Sequence, residues 1–158
     1  MGRVLLAILV RERGLLGRLR PSLLVFTDRE LMFIRGVRRE GGGLFSTLSH
    51  LAEGISASRS GGLSRFLDSI RGLEVDPREV MEIAGRGSLA APYREVESIE
   101  VELSPAERGA RFRIATAGGR VLELAAPSVS GRELRGRLAE VLESAPELGE
   151  RLLLRPER

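Results

Sequence analysis

Apolar positions fall into short runs in the first quarter of the chain and into alternating patterns in its second half. Val4–Val10 is a continuous apolar run of strand length. Ser22–Thr27 and Leu31–Arg35 read as two further strands, and Asp28–Glu30 between them has the length of a hairpin loop. An aspartate at the start of a turn accepts hydrogen bonds from the amides ahead of it, so Asp28 is expected to fix the turn.

The spacing then changes. After the glycine-rich junction 36–43, Leu44, Leu48, Leu51 and Ile55 recur at helical intervals, as do Leu63, Phe66, Leu67 and Ile70 beyond Gly61-Gly62. This predicts two helices, at 44–58 and 63–71, or one kinked helix. From residue 79 the pattern predicts strands at 79–85, 95–103, 110–117 and 120–126, with Gly118-Gly119 as a hairpin signal. In 95–103, Glu95 and Glu97 share one face, and Glu100 and Glu102 share one face. The polar phase shifts across Ser98-Ile99 unless a bulge intervenes. Ser130 and Glu133 form a capping box before the stripe Leu134, Leu138, Val141 and Leu142, which predicts a helix. Ser144 and Glu147 repeat the cap signal for a short final helix. The prediction is an α+β fold: a single domain over 1–158, a helical insertion at 40–75 and a C-terminal extension at 145–158.

Composition narrows the chemistry more than the fold. Cys, Trp, Lys, Asn and Gln are absent, so all 25 basic residues are arginines, and 19 of the 22 acids are glutamates. Disulfides, thiolate chemistry, zinc–sulfur sites and lysine-dependent catalysis are excluded. Missing Asn, Gln and Cys suits a hot environment, while missing lysine runs against the usual thermophile pattern and fits a genomic preference for arginine codons equally well. No stretch reaches the roughly 18 apolar residues of a transmembrane helix. The short apolar run near the start has no convincing cleavage site after it and is read as a strand, not a signal peptide. A cytoplasmic location is expected, or a peripheral one at the inner face of the membrane.

Net charge is +3, but its distribution is uneven. Residues 1–43 hold nine arginines and four acids, a local +5; residues 73–100 hold three arginines and seven acids, a local −4. Arg11, Arg13, Arg18, Arg20, Arg35, Arg38 and Arg39 form the candidate anion-binding set, because guanidinium forks suit phosphate and carboxylate groups. The only histidine, His50, falls in the first expected helix. A small hydrolase or transferase using it as general base is the catalytic alternative, although no nucleophile is nominated. No metal, cofactor or nucleotide motif is found, and the glutamates of 95–102 read as a solvated sheet face. Tyr93 and the lack of tryptophan leave poor stacking platforms for nucleic acid.

The stretch LLVFTDRELMFIRG (23–36) resembles the strand–turn–strand signature of bacterial PH-like and GRAM-like domains, with Thr27, Asp28, Arg29, Leu31 and Phe33 in the matching places. APYREVESIEVE (91–102) is similar to the following family segment through Pro92, Tyr93, Val96 and Ile99, and 109–127 resembles the family hairpin. The resemblance implies a curved antiparallel sheet or partly open barrel closed by the C-terminal helix. It further implies a non-enzymatic module that binds proteins, lipids or copies of itself. The expected function is therefore binding or assembly through a protein partner or self-association, without a cofactor. Anionic phospholipid binding through the N-terminal arginines is the alternative.

Overall fold

A computed structural model describes residues 2–12, 22–35, 71–84, 87–103, 109–126 and 129–156. Its strands are β1 (Gly2–Glu12), β2 (Ser22–Thr27), β3 (Glu30–Arg35), β4 (Glu74–Val75), β5 (Leu89–Pro92), β6 (Val96–Leu103), β7 (Ala110–Thr116), β8 (Val121–Ala126) and β9 (Leu152–Pro156). Two α-helices accompany them, α1 (Pro77–Ile83) and α2 (Gly131–Ser144), with 3-10 turns at Tyr93–Glu95 and Pro146–Glu150. The expected helices at 44–58 and 63–71 lie outside the described residues except for Arg71, as does His50.

The nine strands form one sheet in the order β5-β3-β2-β1-β8-β7-β6-β9, with β4 paired to the start of β1. β1 pairs with β2 through Val4–Val10, and then with β8 through Arg11 and Glu12. One long strand thus joins an N-terminal block to a C-terminal block. All pairings are antiparallel except β6 with β9, which is parallel and follows the α2 crossover. The PH-like expectation is overturned here. Among the described residues the sheet is mixed, ends in β5 on one side and β9 on the other, and is neither closed nor strongly curved. Matching one hairpin and its neighbours fixed local strand pairs; it carried no information about how the sheet ends.

The blocks share one apolar core. Ile8, Leu24, Phe26, Leu31 and Phe33 meet Ile99, Phe112, Ile114 and Leu124, with Leu134, Leu138 and Val141 of α2 on the same cluster. The opposite face of the N-terminal block is also covered. Val4, Ala7, Leu23, Val25, Met32 and Ile34 pack against Val75 and Val80. β2 is therefore buried on both faces at all six positions. A strand buried on both sides loses its alternation, which is why 22–27 reads as a continuous apolar run.

Two elements differ from the sequence prediction. Residues 77–83 are helical where the pattern predicts a strand over 79–85. Asp76 accepts from the Arg78 amide at 3.0 Å and Pro77 occupies the first turn, a helix-start signature in the sequence itself. β9 forms within the expected C-terminal extension, for which the pattern predicts no strand, because a short apolar stretch does not distinguish strand from helix. Elsewhere the pattern held closely. Ser130 Oγ accepts from the Glu133 amide at 3.4 Å at the start of α2. A register shift between Val96 and Ser98 is the bulge that the glutamate phase required. It turns both Val96 and Ile99 inward.

The β2–β3 turn is built differently from the expectation. Thr27, fully buried, accepts from the amides of Arg29 (3.2 Å) and Glu30 (2.9 Å) and donates to the Glu30 carbonyl (3.0 Å). Asp28 instead reaches β1. Its carboxylate accepts from the Arg3 amide at 2.8 Å, and its own amide donates to the Arg3 carbonyl at 3.0 Å. Tyr93, buried, donates its hydroxyl to the Thr27 carbonyl. Burial, aided by the charges of Asp28 and Glu30, pushes its phenol upward, so Tyr93 remains a donor. Asp28→Ala is expected to cost about 1 kcal/mol through the lost tie to Arg3. Urea unfolding measures it, and an unchanged midpoint would show the tie to be worth nothing.

Candidate interaction face

The β6–β9 block has one face on the core. Its other face is open among the described residues, and the register places the side chains there in rows. One row reads Arg11 (β1), Ala125 (β8), Arg111 (β7), Glu102 (β6) and Arg155 (β9). The next reads Glu123, Arg113, Glu100 and Leu153, and beyond it Val121, Ala115 and Ser98 follow. The alternation of β6, β7 and β8 makes this arrangement, since every second residue from Ile99, Phe112 and Leu122 faces the core.

Charge on this face alternates across strands, where opposite signs at neighbouring positions stabilise the sheet. Arg155 pairs with Glu100 at 3.5 Å. Arg11, Arg111 and Arg113 make no ion pair among the described residues. Arg11 and Arg111 flank the small Ala125 and stand about 10 Å apart at two strand spacings. The exposed large apolar side chains of the described residues, Val121 (48%) and Leu153 (46%), lie on this same face.

The arginines proposed from sequence separate in space. Arg11 is exposed at the end of β1 and belongs to this face. Arg35 projects from the core side of β3, where it pairs with Glu12 and lies 6.0 Å from the Phe33 ring centroid. Arg13, Arg18, Arg20, Arg38 and Arg39 lie outside the described residues. Near Arg35, Gly87 has φ +88°, and a Cβ there would overlap the Arg35 guanidinium. Arg120, from the β7–β8 turn, donates to the Gly87 carbonyl. These contacts link the two blocks beside β3.

Arg111, Arg113 and Arg155 were absent from the sequence-derived set. Arg111 and Arg113 alternate with apolar residues along β7 and Arg155 lies in β9, and only the cross-strand register puts them on the face that Arg11 shares. Among the described residues no group of three or more acidic, histidine or cysteine side chains is arranged to hold a metal ion. No helix among them is long and apolar enough to cross a membrane. The chain matches no protein-family model, no curated protein and no solved structure.

Proposed function

We propose that this protein is a non-catalytic binding module that docks a protein partner on the open face of β6–β9, with an acidic segment of the partner along the Arg11–Ala125–Arg111 row. The observation that carries this reading is that Arg11 and Arg111, free of ion pairs among the described residues, share a face with the exposed Val121 and Leu153. Arginine and exposed apolar side chains are what interfaces draw on. The face favours a protein over an anionic membrane. Glu100, Glu102 and Glu123 interrupt the arginines, so a uniformly anionic surface meets repulsion where a protein can match sign for sign.

The test uses fluorescently labelled poly-L-glutamate, whose extended chain can follow a single row. Binding is expected at low salt, with affinity falling about tenfold in the double variant Arg11→Gln/Arg111→Gln. Both positions are exposed, so the variant retains the core. Absence of binding at about 20 mM salt, where screening is weak, would overturn the proposal. So would equal affinity of the two proteins. Co-sedimentation with phosphatidylserine vesicles, in the absence of poly-glutamate binding, would move the assignment to a lipid surface.

A further inference from the structure

A concave surface lies toward the opposite edge of the sheet. Glu30, Asp76, Pro77, Arg78, Met81 and Ala90 line a groove of about 580 Å³ between α1 and the β3–β5 pair. β5 is the last strand on this side, so its outer edge is unpaired among the described residues. The direction of its backbone groups follows from one hydrogen bond. Tyr93 N donates to the Arg29 carbonyl, at 3.4 Å. In the antiparallel pattern this points the polar backbone groups of Ala91 and Leu89 toward β3. Those of Ala90 and the carbonyl of Pro92 point outward. Proline, which has no N–H to offer, suits that outward position.

The groove's lining is part charged and part apolar. Glu30 and Asp76 contribute two negative charges and Arg78 one positive, leaving −1. Burial, together with Asp28 and Asp76, raises the Glu30 carboxyl above its usual range, while nearby positive charge, Arg29 included, opposes the shift. A cation placed here would relieve that penalty. Met81, Pro77 and Ala90 offer apolar contact for an aliphatic stem.

We propose that the β5 edge and this groove form a peptide site. An extended segment of a partner protein adds as a strand to β5, pairing with Ala90 and Pro92, and lays an arginine side chain into the groove toward Glu30 and Asp76. An exposed edge supplies main-chain pairing, and a neighbouring pocket reads alternate side chains. This site is separate from the open face of β6–β9 and stands without it.

The probe is a fluorescein-labelled pentapeptide with arginine at its centre, flanked by valine and threonine, titrated by anisotropy into the full chain. Binding is expected, with a loss of about tenfold or more when citrulline replaces the arginine. The same loss is expected in Glu30→Gln, which keeps the side chain's shape. A peptide N-methylated at the amides that would face β5 is expected to lose binding as well. This control leaves the protein unaltered. No binding of the parent peptide at low salt would overturn the proposal, as would full binding by the N-methylated peptide or by Glu30→Gln. Sedimentation showing self-association of the free protein that Glu30→Gln abolishes would give the groove to a second copy instead.

Discussion

Phe26→Ala is expected to lower the stability of the folded chain by about 3–5 kcal/mol. Phe26 is fully buried, and its ring sits in the cluster that joins the two blocks of the sheet. It belongs to a strand covered on both faces, so neighbouring side chains have little freedom to collapse into the space it leaves. The expected cost is a large share of the roughly 5–15 kcal/mol that typical domains possess. In urea, with a slope of about 1–3 kcal/mol per molar, the midpoint should fall by about 1 M or more at constant slope. A smaller fall would mean that the site relaxes and that the blocks are not held through this residue.

Thr27→Val is expected to cost about 2–3 kcal/mol although it preserves side-chain shape. The threonine hydroxyl accepts from two amides and donates to one carbonyl. Valine fills the same space and serves none of them. Buried polar groups left without partners cost more than the net value of the bonds they once made. The comparison with Asp28→Ala is informative. Asp28 ties the turn to Arg3 at an exposed position, whereas Thr27 organises the turn from inside. Thermal or urea unfolding of the two variants should therefore rank Thr27→Val as clearly the more damaging. The reverse ranking would return the turn to Asp28.

The candidate surfaces combine near and distant sequence information. Arg11 was visible as one of a basic cluster. Its neighbour Arg111 follows it by a hundred positions and meets it only through Ala125 of β8. The groove joins Glu30 to Asp76 and Ala90, from three separate elements. Asp76 and Pro77 did carry a legible helix-start signal, but the short apolar stretch around Val80, Met81 and Ile83 does not by itself distinguish a helix from a strand. Tyr93 matched a family pattern, while its actual task, a hydrogen bond to Thr27, depends on β5 lying beside β3.

The sequence by itself determined the β2–β3 hairpin, the β6–β7–β8 meander with its bulge, and the helix after Ser130. In each case the responsible residues are close along the chain: the hairpin is marked by two apolar runs around Asp28–Glu30, and in the meander and the helix the two-residue or 3.6-residue period survives burial. Tertiary structure alone decided that β1 would serve two blocks, that β9 would return parallel to β6, and that the sheet would stay open. Those outcomes depend on which apolar faces meet. Apolar burial is non-directional, so many pairings satisfy the same pattern until register, crossover and packing select one.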